Sequence, residues 1–419
     1  MSTLVDRIVP ARMGRSFRWL LASSWTSNIG DGIALAAGPL LVASQTNSAF
    51  IVALAGLMQK LPWLIFGLWA GALADRLDRR KVVMIADTLR AGVVAVLCVT
   101  IVTGHVNIGV VMITMTLYGV AEVFADTTTS TLLPMMVDRR DLGTGNQRLQ
   151  AGFLTCNQLV GPPVGAFLFA AGMAWPFLVQ VLCVLLAVLL VSRIATSQAS
   201  SADPVARTHV RRDVVEGLRW IWQHAAVRTL ALVILVFNVT WAAAWSVLVL
   251  WSRDHLGMSE TGFGLLTTGS AVGGLIGTGL YGSIERRFKL ATIMRVCLLL
   301  EVLTHLALAL VTTGWLAIAV MVEFGAYAFI WGTVSNTVRQ RAVPQRYHGR
   351  VSAAYMMCVY GGLIVGQAIG GVIAQHWGLV APFWFAFFGA GITLALVWKQ
   401  LGSIAHADSG DDRPATSAT

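Results

Sequence analysis

The sequence predicts an all-α membrane protein with twelve transmembrane helices, on three observations. Only 12% of its 419 residues are charged, against about 25% in an ordinary soluble domain. The apolar residues fall in runs of roughly twenty, the length of helix that crosses a hydrocarbon core about 30 Å thick. The basic residues gather in alternate connections between those runs. A backbone in lipid must satisfy its own N–H and C=O groups, so each run reads as a helix.

The spans are expected at 17–42, 49–74, 82–103, 108–133, 145–170, 174–193, 228–250, 260–282, 290–311, 314–338, 351–374 and 379–399. Arg7, Arg12, Arg15 and Arg18 precede the first, and Arg76, Arg79, Arg80 and Lys81 follow the second. Arg139 and Arg140 follow the fourth; Arg207, Arg211, Arg212 and Arg219 follow the sixth. Arg286, Arg287 and Lys289 follow the eighth, and Arg339, Arg341, Arg346 and Arg350 surround the junction of the tenth and eleventh. The opposite connections hold one Lys or Arg, Arg253. This positive-inside asymmetry puts both termini in the cytoplasm. It also accounts for the net charge of +10 without a nucleic-acid partner. The first apolar run is long and another follows it, so it reads as retained rather than as a cleaved leader. Cys98, Cys156, Cys183, Cys297 and Cys358 are scattered through the spans without ligand spacing and read as packing residues.

Residues 1–193 form a first group of six spans, 194–227 a cytoplasmic connection, 228–401 a second group of six and 402–419 a flexible cytoplasmic tail. Ser and Ala dominate the start of the connection, as in a flexible linker. From Val210, apolar Val214, Leu218, Ile221 and Trp222 recur at helical spacing among Arg211, Arg212, Glu216 and Arg219. That pattern predicts an amphipathic helix on the cytoplasmic membrane face or bracing the two groups. The groups also echo one another. Gly71-Ala-Leu-Ala-Asp75-Arg76-Leu-Asp78-Arg79-Arg80-Lys81 lies between spans two and three, and Gly279-Leu-Tyr-Gly282-Ser-Ile-Glu285-Arg286-Arg287-Phe-Lys289 lies at the matching place in the second group. Repeats of this kind are the architecture of secondary transporters. No phosphate-binding loop, selectivity-filter stretch or cluster of catalytic residues is legible, which speaks against an ATP-driven pump, a channel and an enzyme.

With Gly71, Leu73, Ala74, Asp75, Arg76, Arg79 and Arg80 in that loop, the chain resembles the major facilitator superfamily, with Asp78 departing from the glycine usual near the motif's end. Gly161-Pro162-Pro163-Val164-Gly165 in span five is similar to the glycine–proline motif of its proton-coupled exporters. Asn28-Ile-Gly-Asp31-Gly, Asp87 with Arg90, Leu132-Leu-Pro134 and the stretch Val343 to Val351 resemble the branch of macrolide and enterobactin exporters. The resemblance implies two pseudo-symmetric six-helix bundles in the bacterial inner membrane, working as a monomer. It implies a secondary active exporter of multidrug or siderophore type, moving amphipathic small molecules out of the cytoplasm by proton antiport. No cofactor is implied beyond the proton gradient, and no metal. Uptake or flipping of a lysophospholipid or metabolite is the alternative. The arginine that many drug–proton antiporters carry in span four is replaced here by Glu122, so coupling cannot be transferred from it.

Individual residues then take provisional roles. Asp75 is placed to cap another helix as a gating latch, with Gly71 allowing close approach and Arg76, Arg79 and Arg80 pairing with acidic residues or anionic lipid. Pro162 should bend span five, while Gly161 and Gly165 admit a tightly packed neighbour. Charges inside spans are costly unless paired or wetted, which singles out Asp31, Lys60, Glu122, Asp126, Arg90 and Glu323. Glu122 and Asp126 lie one turn apart, and paired carboxylates are suited to taking up and releasing a proton. Asp31 could pair with Lys60, and Arg90 could join Asp87, Arg148, Asp126 and Asp141 in an ion network. Glu301 and His305 lie one turn apart on span nine and would pair locally if that span is peripheral. Asn28, Tyr118, Asn157, Asn238, Trp241, Trp245, Tyr327, Trp331, Asn336 and Gln367 are candidates for the substrate cavity, where aromatic faces favour amphipathic or cationic molecules; some of the aromatic ones would instead anchor the interface.

Overall fold

The computed structural model describes residues 13–74, 77–138, 141–194, 210–343 and 348–404. Its helices are α1 (Gly14–Gln45), α2 (Ala49–Ala74), α3 (Arg79–Val102), α4 (Ile108–Ser130), α5 (Leu142–Gly152), α6 (Gly161–Ala171) and α7 (Trp175–Val191). There follow α8 (Val210–Gln223), α9 (Ala225–Trp245), α10 (Glu260–Arg287), α11 (Leu290–Leu310), α12 (Gly314–Ala342), α13 (His348–Trp377) and α14 (Ala381–Val397). Among the described residues, nine helical stretches are long and apolar enough to cross a membrane. The helices α7 and α14 are apolar but only 17 residues each. The 32-residue α1 carries Ser23, Ser24, Thr26, Ser27, Asn28 and Asp31 through its middle, which lowers its hydropathy.

The fifth expected span is not one regular helix. Phe153–Val160 is a π-helical stretch between α5 and α6, and Pro162 sits in the first turn of α6. Proline donates no N–H, so the wide turn before it relieves the ladder at the site of the predicted bend. The amphipathic helix of the connection forms as α8. Val215, Leu218 and Trp222 remain exposed while Ile221 is buried, the arrangement of a helix that covers protein on one edge and offers an apolar side to lipid.

The same set of neighbours recurs in the two groups. In the first, α1 packs on α6 and α7, α2 on α4, and α3 on α4 and α7. In the second, α9 packs on α13 and α14, α10 on α12, and α11 on α12 and α14. Two seams join the groups, α2 with α13 and α6 with α10, and exchanging the groups exchanges the seams. Glycine sets the closest crossings. A β-carbon on Gly165 would collide with the Ile33 carbonyl and one on Gly161 would come 2.5 Å from Gly32, so α1 and α6 meet backbone to backbone. Gly366 and Gly370 of α13 approach the carbonyls of Val239 and Ala243 of α9 in the same way.

The core is continuous at one end and divided at the other. One apolar cluster joins Leu41, Val52, Leu97, Val111 and Phe169 of the first group to Leu250, Trp251, Phe263, Leu308 and Phe383 of the second. All lie toward the end that carries residues 43–48 and 251–259. At the opposite end, Phe17, Leu20, Leu133 and Ile194 form one core, while Ile293, Met294, Val334 and Val351 form a separate one. Polar ties cross the joined end. Arg253 donates to the Ala43 carbonyl at 2.9 Å and to Asn47 Oδ1 at 3.0 Å, and Ser48 donates to Gln375 Oε1 at 2.9 Å. Arg253, the lone basic side chain expected on that face, thus fastens the two groups together.

Backbone contact at glycine makes a clear prediction. Gly165→Ala should overpack the α1–α6 crossing and destabilise the protein by about 1–3 kcal/mol, read as a lower unfolding temperature in detergent. Gly92→Ala, at a glycine with open space around it, should leave that temperature unchanged or raise it slightly.

Candidate functional site

Midway along the first group, α1, α3, α4 and α7 converge on a buried polar cluster. Gly30 and Gly32 flank Asp31 and let its backbone lie against Cys183 of α7 and Asn157 of the π-helical stretch. Asp31 Oδ1 accepts the Tyr118 hydroxyl at 2.8 Å, and its Oδ2 accepts Ser27 Oγ at 3.2 Å. Arg90, 1% exposed, lies 3.5 Å from Asp31 and 3.1 Å from Asp87, and donates to Ser27 Oγ at 2.7 Å. Its guanidinium also stands over the Tyr118 ring at 5.6 Å, and Gln180 donates to the Tyr118 hydroxyl at 3.2 Å. Asp31 therefore pairs with Arg90. The alternative with Lys60 is not formed: Lys60 is half-buried on α2 and makes no ion pair among the described residues.

One turn beyond Tyr118, Glu122 Oε2 accepts the Trp63 indole N–H at 3.4 Å. Trp63 in turn stacks on Tyr360 of α13, with ring centroids 5.3 Å apart and planes 15° apart. The carboxylate of Glu122 is thus one side chain away from the α2–α13 seam. Asp126 is exposed, yet it lies within electrostatic range of Glu122, Arg90, Asp31 and Asp87, as a side chain lining a crevice would.

The second group holds a counterpart. Tyr327 of α12 donates to Glu301 Oε2 at 2.7 Å, His305 lies 3.1 Å from Glu301 Oε1, and Thr304 donates to Glu323 Oε2 at 2.9 Å. Beside Glu301 is a cavity of about 160 Å³, whose walls include Asn238, Trp241, Phe324, Tyr327 and Trp331. Trp245 stacks on Trp241 at 4.7 Å.

The remaining expected residues scatter. Asn28 bonds back to the Ser24 carbonyl of its own helix, Asn157 accepts from Gln158, and Asn336 is exposed and accepts from Arg339. Gln367 lies on the seam against Gly56. Asp75 and Arg76 fall outside the described residues. Arg79 donates to the Thr131 carbonyl at 3.3 Å and Arg80 to that of Ser192, so both hold the carbonyl ends of α4 and α7. Asp78, where the motif has glycine, caps α3 by accepting from the Arg80 and Lys81 amides at 3.0 and 3.3 Å. Gly161, Pro162 and Gly165 lie where α6 meets α1, and Pro162 and Ala166 also face Gly264 of α10. The sequence reading gave no role to Ser27, Trp63, Gln180 or Tyr360. Ser27 could have been found one turn before Asp31, but the others bond across helices and leave no signal in the spacing.

Residues 8–416 match the family profile described as transmembrane secretion effector, and the chain belongs to that family within the major facilitator superfamily. The multidrug efflux pump Tap of Mycolicibacterium fortuitum is 29% identical over 402 residues, 92% of this chain and 94% of that protein. Macrolide efflux protein A of Streptococcus pyogenes is 22% identical, over 87% of this chain and 90% of that protein. Among solved structures, a bacterial homologue of the iron transporter ferroportin in an inward-facing state aligns with a TM-score of 0.74 at 16% identity, covering 94% of this chain and 99% of that one. The protein is a multi-pass membrane protein and a secondary transporter of small molecules, not an enzyme. Among the described residues no group of three or more His, Cys, Asp or Glu is placed to hold a metal ion.

Arg90 is the shared counter-charge of Asp31 and Asp87, and without it both carboxylates lose their cationic partner. Arg90→Leu should therefore cost about 3–5 kcal/mol of stability, measured by denaturation in detergent. Adding Asp31→Asn to Arg90→Leu should recover part of that loss.

Proposed function

We propose that this transporter is a drug or siderophore exporter of the inner membrane, moving amphipathic small molecules out of the cytoplasm by proton antiport and alternating access. In this reading α1, α7 and α14 cross the membrane with the nine longer spans, giving twelve helices in two bundles, 1–193 and 228–401. Both termini face the cytoplasm, the divided end of the core opens there, and the monomer is the working unit. Tilt or local thinning of the bilayer accommodates the 17-residue helices.

The observation that carries the proposal is the bond from Trp63 to Glu122, with Trp63 stacked on Tyr360. An ionised Glu122 accepts that indole proton strongly, and a protonated one holds it less firmly. A proton on Glu122 would thereby loosen Trp63, and with it a contact of the seam that must rearrange when the bundles rock. Asp31, clamped by Arg90, Tyr118 and Ser27, serves as the fixed part of the network, with Asp126 as the crevice-facing carboxylate. Asp75 and Arg76 form the latch of the loop motif, Gly71 its close approach, and Arg79 and Arg80 brace the helix ends behind it. The names of the two efflux relatives support export of drug-like molecules over uptake.

Inverted membrane vesicles from a host without its own pumps test the reading. An exported compound should accumulate when the vesicles are energised, and an uncoupler should abolish the accumulation. Glu122→Gln should cut energised accumulation at least tenfold while leaving the amount of folded protein unchanged. Undiminished, uncoupler-sensitive accumulation in that variant would remove Glu122 from the coupling.

A further inference from the structure

The two polar clusters are built alike but balanced differently. In each, a tyrosine on the fourth helix of its group donates to a carboxylate, Tyr118 to Asp31 at 2.8 Å and Tyr327 to Glu301 at 2.7 Å. In the first, Arg90 supplies a permanent positive charge to Asp31 and Asp87. In the second, Glu301 and Glu323 have no Lys or Arg partner among the described residues, and the basic group beside them is His305. Buried carboxylates without a fixed cation call for a mobile one, a proton or a ligand.

What adjoins Glu301 selects between these. A proton needs no cavity, whereas Glu301 borders one of about 160 Å³ walled by Phe237, Trp241, Phe324, Tyr327 and Trp331. Space of about 150 Å³ accommodates a benzene-sized molecule, so the cavity suits one aromatic ring or one quaternary ammonium head rather than an entire drug. Electron-rich ring faces around a carboxylate attract a poorly hydrated cation and offer little to an anion.

We infer that the second bundle carries a subsite for the head of an organic cation, a quaternary ammonium or protonated amine, with Glu301 as its counter-charge and the aromatic cavity as its walls. Tyr327 and His305 hold the carboxylate in place, and the rest of a larger molecule extends from the cavity. The inference rests on the exporter reading, to which it adds a substrate class.

The test is equilibrium binding to the purified full-length chain in detergent, with benzyltrimethylammonium as the cation and neopentylbenzene as its neutral isostere. Benzyltrimethylammonium should bind saturably. Glu301→Gln, which keeps hydrogen bonding to Tyr327, should weaken the cation at least tenfold and change the isostere less than twofold. Phe324→Leu, which leaves the carboxylate untouched, should weaken the cation at least threefold and keeps the test valid if Glu301→Gln does not fold. Absence of saturable cation binding in the wild type, or binding within twofold of wild type in both variants, overturns the subsite and leaves a proton as the counter-charge. Vesicle accumulation separates the two readings. Cation binding that depends on Glu301 without accumulation of any compound sinks the exporter and spares the site. Energised accumulation with Glu301-independent binding does the reverse.

Discussion

Helices in hydrocarbon gain little by burying apolar side chains against one another, because lipid is as apolar as leucine. Their cohesion must come from close backbone approach, dispersion contacts and the few polar bonds that cross between them. In this protein glycine provides that approach, at Gly32, Gly161 and Gly165 in the first bundle and at Gly366 and Gly370 in the second. The same crossings recur in both, so each bundle is tied together by direct backbone contact. Between the bundles the contacts are the two seams, α2 with α13 and α6 with α10, and the joined end where Arg253 and Ser48 reach across.

That division of contacts gives the buried charges their meaning. Arg90 between Asp31 and Asp87 lies wholly within the first bundle, so this ion network ties helices of one bundle and crosses no seam. Glu122 differs, because its hydrogen bond runs to Trp63, which stacks on a residue of the other bundle. Glu122 is therefore one side chain from a contact between the bundles rather than inside one. In the second bundle Glu301 borders an aromatic cavity and has His305 rather than a Lys or Arg beside it among the described residues, which is the basis of the proposed cation subsite.

Much of the fold was legible in the sequence, because run length and loop charge answer directly to bilayer thickness and topology. The expected span 49–74 is observed as Ala49–Ala74, and 290–311 as Leu290–Leu310. Gly161 and Gly165 of span five lie at a close crossing, as their small size predicts, but no residue type marks the π-helical turn before them. The site was legible only in part. Asp31, Glu122 and Arg90 stand out because charge inside a span is rare, while their partners do not. When a helix is apolar all round, period cannot say which face meets which neighbour. Tyr118 is expected on the cavity and holds Asp31; the expected local pair of Glu301 with His305 is present, while the aromatic cavity that Glu301 borders leaves no signal in the spacing.

The central claim is that two bundles are joined at one end and move apart and together at the other. Pulsed electron paramagnetic resonance in lipid bilayers measures this directly, with spin labels on Ser130→Cys at the end of α4 and Asn336→Cys on α12, the five native cysteines replaced. Both positions are exposed, on different bundles, toward the divided end of the core. The account predicts two distance populations, a longer one matching this structure and a shorter one, whose ratio changes with Glu122→Gln. A single distance, indifferent to that substitution, would contradict it.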